Sequence, residues 1–130
     1  MKIVIQTSKH KEIIDITGRI QNLIDEKPLT KGLVHIFIAH TTASVTTADL
    51  DPGTDQDYLD AFEAIMPKLN YRHPHNPSHV TDHILSSIIG PSVMVPVKNG
   101  QLILGTWQRI VVVELNGPRE RTLYVSFLRL

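Results

Sequence analysis

The feature that most constrains the fold of this chain is an apolar run of seven residues, Leu33 to Ala39, interrupted only by His35. The run is rich in β-branched side chains, which is typical of a strand covered on both faces. It ends directly at His40. We therefore expect a buried strand that places His40 where the apolar pattern stops.

Other β-rich segments lie on both sides of this run. Their approximate bounds are 3–7, 12–16, 43–48, 92–97, 101–104, 109–115 and 121–128. A polar turn at 8–11 between the first two predicts an opening hairpin, and Asn99-Gly100 is the dipeptide typical of a tight hairpin turn. The segment 43–48 is small and Thr-rich, which suits the wall of a crowded pocket.

Two or three helices are expected between the strands. The first has apolar residues at helical spacing from Ile20 to Ile24 and stops at Pro28. The second begins near Thr54, a possible cap, and its apolar face is formed by Tyr58, Phe62, Ile65 and Leu69. The third begins near Asn76-Pro77 and ends at Gly90-Pro91, with an apolar face comprising Val80, Ile84, Leu85, Ile88 and Ile89.

Strands at both ends with helices between them predict an α+β fold of mostly antiparallel strands, in one domain spanning residues 1–130. The 130 residues carry 13 basic and 13 acidic side chains, and no Lys/Arg run offers a footprint for nucleic acid. No stretch is long and apolar enough to predict a membrane span, so we expect a cytoplasmic protein. The balanced charge also fits an oligomer.

The chain has seven histidines and no cysteine, so a metal site would have to use imidazole, carboxylate and water. Four histidines fall in one segment: His73, His75, His79 and His83. His79 and His83 stand four apart, and on a continuous helix they would share a face and could reach one cation. A His-rich helix also produces such a pair by chance.

His40 opens a hydroxyl-rich stretch at the end of the apolar strand, a place where rigid scaffolds present side chains to a site. The alternative is a neutral histidine that bonds to the backbone inside the core. The hydroxyls of Thr41, Thr42 and Ser44 could contact phosphate, or these residues could serve only as strand formers. Asp49 follows closely enough to add a carboxylate ligand, or it could belong to the start of the next helix.

The segment Gly105-Thr106-Trp107-Gln108-Arg109 holds the one tryptophan of the chain. A lone Trp is more often a core or interface anchor than a platform for a ligand. The alternative is an anion site, in which the backbone after Gly105 and the Thr106 hydroxyl donate hydrogen bonds and Arg109 or Arg72 supplies a guanidinium.

Several motifs together resemble the YjbQ family, also named secondary thiamine-phosphate synthase enzymes. They are His40-Thr41-Thr42-Ala43, Tyr71-Arg72-His73, His83-Ile84 followed by Ser86, Ser87 and Gly90, then Pro96, Asn99-Gly100 and Leu104-Gly105-Thr106-Trp107-Gln108. They run in order over nearly the whole chain. Each motif alone is uninformative, whereas their ordered combination is specific.

The resemblance implies a homotrimer in which a polar pocket gathers the motif histidines near a subunit boundary. It implies a weak thiamine phosphate synthase activity, which joins hydroxymethylpyrimidine diphosphate to thiazole phosphate and releases pyrophosphate. Departure of pyrophosphate calls for a cation, guanidinium and hydroxyl donors. A divalent metal, zinc or magnesium, is the expected cofactor, and a small phosphorylated molecule is the expected ligand.

On this resemblance, we assign roles to named residues. Catalytic roles fall to His40, Asp49 and His83, and metal ligation to His40, His73 and His83. Substrate contacts fall to Thr41, Thr42, Ser44, Arg72, Ser86, Thr106, Trp107 and Gln108. The chain departs from the family pattern at Ala48-Asp49-Leu50, where relatives carry Asn-Glu-Asn, so Asp49 has a shorter reach than the usual Glu. The rival hypothesis is a noncatalytic homotrimer that binds phosphate or metal and uses the polar motifs to hold its interfaces.

Overall fold

The computed structural model describes residues 1–74 and 77–130, and this part contains eight strands and three α-helices. In chain order the elements are β1 (Lys2–Gln6), β2 (Glu12–Asp15), α1 (Thr17–Glu26), β3 (Lys31–Ile38), β4 (Ala43–Asp49), α2 (Thr54–Ile65), α3 (Val80–Ile89), β5 (Ser92–Lys98), β6 (Gln101–Leu102), β7 (Gln108–Glu114) and β8 (Glu120–Arg129). A short 3-10 turn, Pro77–His79, precedes α3. The predicted α+β class with mostly antiparallel strands is confirmed.

The strands form two antiparallel sheets. Sheet A has five strands in the order β1-β8-β3-β5-β6, and sheet B has three in the order β2-β7-β4. The Asn99-Gly100 turn joins β5 to β6 as predicted, since both residues adopt positive φ angles, 53° and 75°, that Asn and Gly tolerate best. Strand β8 lies between β1 and β3, so the last strand of the chain is central in its sheet.

The main hydrophobic core lies between the inner faces of the two sheets and α1. Alternate residues of the sheet A strands point into it, as the period of two requires. Buried members of this core include Ile3, Val34, Ile36, Val95, Leu123 and Val125 from sheet A, Val45, Ile110 and Val112 from sheet B, and Ile20 and Ile24 from α1. Strand β7 is thus held against sheet A by one of its faces.

The opposite face of sheet B is covered by α2 and α3. Val111, Val113 and Leu115 of this face form a second buried cluster with Leu85 of α3, and Phe62 of α2 packs against it. Strand β7 is therefore covered on both faces, which explains its nearly continuous run of buried apolar residues.

The outer face of sheet A has no covering layer within the described part of the chain. Its exposed large side chains are Val4, Phe37, Met94, Tyr124 and Leu128. Within a single chain, the expectation that the run ending at His40 is covered on both faces is therefore wrong. Leu33, His35 and Phe37 alternate with the buried residues of β3 and lie on its uncovered face. An apolar pattern cannot tell a face covered by the same chain from one left for a partner.

The expected opening hairpin is also wrong, because β1 pairs with β8 and β2 pairs with β7. Residues 8–11 carry the chain from one sheet to the other, beside the β7–β8 connection. The two connections are tied together, since the Thr7 amide donates to the Arg119 carbonyl (3.0 Å) and the Gly117 amide donates to the His10 carbonyl (2.8 Å). Gly117 is required here, because a Cβ would lie 2.3 Å from the Lys9 carbonyl oxygen.

The helices differ from expectation in their caps and faces. Gly53, with φ 88°, caps α2 in place of Thr54. The buried residue of this helix is Leu59, while Ile65 and Leu69 are exposed and Leu69 lies beyond the helix. The expected start of the third helix at Asn76 lies outside the described residues.

Helix α3 buries Asp82, Leu85 and Ser86, whereas Ile88 of its predicted apolar face is exposed. The reason is that this helix turns its polar Ser86 toward β4, where two hydrogen bonds join them. Strand β6 is shorter than expected and ends at Leu102.

Candidate functional site

His40 follows the end of β3, and its ring is fixed against the neighbouring strand β8. The backbone N–H of Thr122 donates a hydrogen bond of 2.9 Å to His40 Nε2. Partial burial lowers the pKa of His40, the positive charges of Arg121 and Arg119 lower it further, and Glu114 opposes them. Together these effects favour the neutral imidazole over the charged one.

A buried ion pair close to His40 connects the two sheets. Arg121 Nε donates to both Glu114 carboxylate oxygens, at 3.0 and 3.1 Å, and Arg121 Nη2 also pairs with this carboxylate. Glu114 and Arg121 are 0% and 1% exposed. Burial alone would raise the pKa of Glu114, but the hydrogen bonds from Arg121 and Thr7 outweigh it and hold that pKa below its ordinary value.

The same arginine fixes the segment that follows His40. Its Nη2 donates to the Thr42 carbonyl (3.1 Å) and to Thr42 Oγ1 (2.9 Å). Thr42 is buried, so its hydroxyl is engaged inside the protein, whereas Thr41 beside it is exposed. Substrate contact by either residue stays a prediction, and the position of Thr41 suits it better.

Sequence reasoning missed Glu114 and Arg121, although a signal for each was present. Arg121, Leu123 and Val125 are spaced two residues apart, and so are Val112 and Glu114. In a strand this spacing puts residues on the same face, so both charged side chains are expected to point inward with their apolar neighbours. A buried Arg and a buried Glu close together along the chain are best explained as a pair.

Ser44 and Ser86 join β4 to α3. Ser44 Oγ donates to the Ser86 carbonyl and Ser86 Oγ donates to the Ala43 carbonyl, each at 2.8 Å, and both side chains are buried. In this structure the two hydroxyls are engaged by backbone carbonyls inside the protein. Their predicted contact with substrate finds no support in these positions and stays a prediction.

A surface pocket of about 460 Å³ gathers four of the predicted residues, Asp49, Thr106, Trp107 and Gln108. Tyr58 of α2 and Thr47 of β4 complete its polar and aromatic lining. We call this the tryptophan pocket.

Hydrogen bonds within the tryptophan pocket fix its loop. The Gly105 amide donates to Gln108 Oε1 and Gln108 Nε2 donates to Thr47 Oγ1, both at 2.9 Å. Trp107 is 71% exposed, so one chain does not use it as a core anchor.

The other histidines predicted for the site, His73, His79 and His83, lie outside the lining of the tryptophan pocket. His73 and His83 stack with ring centroids 4.9 Å apart, and Arg72 beside them is exposed. His79 ends the 3-10 turn and directly precedes α3, so the predicted sharing of a cation by His79 and His83 stays a prediction. His75 lies outside the described residues.

The donors expected for a metal do not converge within one chain. Across residues 1–74 and 77–130, no group of three or more His, Asp or Glu side chains lies close enough to hold a metal ion. The Nε2 atom of His40 is engaged by Thr122. The set His40, His73 and His83 therefore does not fit a three-ligand metal site in a single chain, and zinc or magnesium stays a prediction.

These features define a class: an α+β protein of two antiparallel sheets, with polar motif residues where strands end and an apolar sheet face left open. The chain belongs to the YjbQ family, since the family described as UPF0047 protein YjbQ-like matches residues 1–130. None of the helices in the described residues is both long and apolar enough to span a bilayer.

Relatives and solved structures agree with this membership. The chain is 36% identical to a UPF0047 protein of Archaeoglobus fulgidus, covering 98% of this chain and 100% of the relative. It is 38% identical to the UPF0047 protein YugU of Bacillus subtilis, covering 95% of each. A crystal structure of a hypothetical protein from Aeropyrum pernix K1 matches with a TM-score of 0.91 and 31% identity, covering 100% of this chain and 98% of that one.

Proposed function

We propose that this protein binds a small phosphorylated ligand and acts on it as a weak thiamine phosphate synthase, at a site completed by association of its chains into a homotrimer. The observation that carries the proposal is the tryptophan pocket, which brings Asp49, Thr106, Trp107 and Gln108 together from segments far apart in the sequence. A cytoplasmic location and a divalent metal, zinc or magnesium, remain predictions within this proposal.

The lining of the tryptophan pocket suits a planar heterocycle joined to a polar group. Trp107 and Tyr58 offer aromatic surface on which a pyrimidine or thiazole ring would stack, and Thr47, Thr106 and Gln108 offer hydrogen-bonding groups. In the proposed reaction the bond from the pyrimidine methylene carbon to the diphosphate oxygen breaks, pyrophosphate leaves with the electron pair, and the thiazole nitrogen bonds to that carbon. Donors near the departing oxygen would stabilise its charge.

The open face of sheet A supports self-association. On this face Phe37 lies opposite Tyr124 and Leu33 lies opposite Leu128, with the polar pair His35 and Ser126 between these two apolar pairs. Exposed apolar surface of this kind typically marks an interface. His40 bonds to Thr122 at the margin of this face, where a neighbouring chain would approach it.

Turnover of a heterocycle substrate tests the proposal. We expect untagged protein to form thiamine phosphate from hydroxymethylpyrimidine diphosphate and thiazole phosphate, and Trp107→Ala to lower kcat/KM at least about fivefold, since stacking on an aromatic contributes about 1 kcal/mol or more. Ile65→Ala is the matched control, because it removes a side chain of similar exposure, 63%, outside the pocket lining. Product formation no faster than in an enzyme-free blank would overturn the enzymatic proposal.

The hydroxyl groups that are hydrogen-bonded inside the protein favour a second candidate function, a noncatalytic homotrimer that binds phosphate or metal. Thr42, Ser44 and Ser86 are buried and bonded within the protein, as structural motifs would be. On this reading, changing His40 would lower the stability of the trimer more than its affinity for a ligand. Sedimentation and calorimetry on His40→Ala separate the two candidates, and elemental analysis of untagged protein tests for the metal.

A further inference from the structure

The tryptophan pocket has a lining that disfavours phosphate. Asp49 supplies a carboxylate, and none of the described residues that line the pocket is a Lys, an Arg or a His. Arg109 follows Gln108 on β7, so its side chain leaves the opposite face of the strand, where its Nε donates to Asp15 Oδ2 at 2.8 Å. An anion in the pocket would lie near a negative charge with no positive side chain of the lining to offset it. The pocket therefore suits the heterocycle of the ligand better than its phosphate groups.

Three polar side chains of the pocket share one face of sheet B. Asp49 lies directly opposite Gln108 in the pairing of β4 with β7, and Thr47 lies two residues before Asp49 on the same face. Side chains that lie opposite each other in an antiparallel pair have Cβ atoms about 4.5–5.5 Å apart. The Asp49 carboxylate and the Gln108 amide are therefore neighbours in the lining.

Hydrogen bonds determine which atoms these neighbours offer to a ligand. The Gly105 N–H donates to Gln108 Oε1, and Gln108 Nε2 donates one of its two hydrogens to Thr47 Oγ1, both at 2.9 Å. Reversing the Gln108 amide would set the Gly105 N–H against another donor. Asp49 Oδ1 accepts from the Asp51 N–H at 3.1 Å, and no hydrogen bond from the described residues reaches Asp49 Oδ2. The lining thus offers an acceptor, Asp49 Oδ2, close to a donor, the second Nε2 hydrogen of Gln108.

An acceptor close to a donor matches one edge of an aminated nitrogen heterocycle. The amino group donates and the adjacent ring nitrogen accepts, and carboxylates and amides bind the edges of nucleobases in this way. A thiazole ring has no N–H, and its nitrogen can only accept, so the Asp49 carboxylate would find no ring donor there. Trp107 and Tyr58 offer aromatic surface to either ring. The polar edge therefore decides which ring is bound.

We infer that the tryptophan pocket selects the aminopyrimidine half of the substrate, with Asp49 accepting from the amino group and Gln108 donating to the adjacent ring nitrogen. The diphosphate end of the molecule then points out of the pocket, away from the Asp49 carboxylate. Binding of an aminated heterocycle rests on the pocket lining, whereas its identity as hydroxymethylpyrimidine rests on the proposed function.

The fluorescence of Trp107 measures occupancy of the pocket, because this residue is the single tryptophan of the chain and lies in the lining. The probes are the unphosphorylated alcohols of the two substrates, hydroxymethylpyrimidine and hydroxyethylthiazole, each titrated into untagged wild-type protein. We expect the pyrimidine to quench the fluorescence with a Kd below about 1 mM and the thiazole to bind at least about tenfold more weakly. An excess of pyrophosphate should not displace the pyrimidine.

Asp49→Asn tests the carboxylate. The Asn side-chain oxygen still accepts from the Asp51 N–H, but its NH₂ group then meets the amino group of the pyrimidine donor to donor. We expect this variant to bind the pyrimidine at least about tenfold more weakly, as for a lost hydrogen bond to a charged group. Asp51→Asn is the matched control, because it makes the same change of charge at a residue outside the described lining. Its affinity should stay within about twofold of wild type.

Equal affinities for the two rings, displacement of the pyrimidine by pyrophosphate, or an unchanged affinity in Asp49→Asn would each overturn the inference. So would the absence of any response to the pyrimidine at about 1 mM. Matched urea midpoints of Asp49→Asn and Asp51→Asn would show that a loss of affinity does not reflect misfolding.

The titrations require no turnover, so they separate this inference from the proposed function. Selective binding of the pyrimidine without formation of thiamine phosphate would overturn the enzymatic proposal alone. Formation of thiamine phosphate by a protein that binds both rings equally would overturn the inference alone.

Discussion

The Glu114–Arg121 pair places two opposite charges between the sheets, out of contact with water. Removing one charge leaves the other buried without a counter-charge, which costs far more than losing an exposed pair. We expect Glu114→Gln to lower the free energy of unfolding by about 3–5 kcal/mol, measured by urea denaturation at pH 7.

The ion pair between Arg109 and Asp15 is the control for this prediction. Its atoms are 2.8 Å apart, yet both side chains are substantially exposed to solvent. Arg109→Met should therefore lower stability by at most about 1 kcal/mol. Similar losses in the two variants would contradict the importance of burial.

The lowered pKa of His40 predicts a pH dependence of stability. Between the folded pKa and the ordinary value of about 6.5, the unfolded chain binds more protons than the folded one, so stability falls as the pH drops through this window. We expect the urea midpoint of wild type to decrease from pH 7 to pH 5 by more than that of His40→Gln, which does not titrate. Parallel curves for the two proteins would rule out this linkage.

The motif resemblance predicted some residues of the candidate site, whereas other features of the site depend on how distant segments pack together. Trp107, Gln108 and Asp49 were predicted by the motif, and the structure places them in one pocket. The sequence could not show that Ser44 and Ser86 bond to each other's segments, because this depends on how α3 packs on β4. Nor could it show the bond from Thr122 to His40, which joins residues 82 apart in sequence.

At the scale of elements, the contact between β3 and β8 depends on Gly32. A Cβ at this position would lie 2.0 Å from the Leu128 carbonyl oxygen, which is backbone and cannot move aside without parting the strands. We expect Gly32→Ala to lower the free energy of unfolding by roughly 3 kcal/mol or more, measured by urea denaturation.

Gly18 in α1 is the matched control, because nothing lies within 4 Å of a Cβ built there. Alanine favours a helix over glycine by roughly 0.5–1 kcal/mol, so Gly18→Ala should be neutral or stabilising. A loss in Gly18→Ala as large as that in Gly32→Ala would show that the steric argument is wrong.

Local pattern predicted where most strands lie but not how they pair. The segments at 3–7 and 12–16 were correctly predicted as strands, yet the turn between them suggested a hairpin. Their true partners, β8 and β7, come more than ninety residues later. Such pairings follow from burial of two sheet faces at once, which a short window of sequence does not contain.

At the scale of the whole molecule, the open face of sheet A determines the expected assembly. Phe37 and Tyr124 are neighbours on this face, and a charge at either would be buried in the proposed interface between chains. We expect wild type to sediment as a trimer and Phe37→Lys to shift toward single chains at micromolar concentration.

Ile88→Lys provides the control for the assembly prediction. Ile88 is 66% exposed on α3, across sheet B from the open face. This variant should keep the mass of the wild type. Wild type that sediments as single chains would refute the assembly, and dissociation of Ile88→Lys alone would place the interface elsewhere.

The central place of β8 in sheet A has a consequence for the order of folding. The ribosome delivers β1, β3 and β5 well before β8, the strand that β1 and β3 both need as a hydrogen-bonding neighbour. Until it emerges, the edges of β1 and β3 that pair with β8 stay without a hydrogen-bonding partner, and unpaired strand edges promote aggregation. We therefore expect the nascent chain to depend on chaperones until β8 has been released from the exit tunnel.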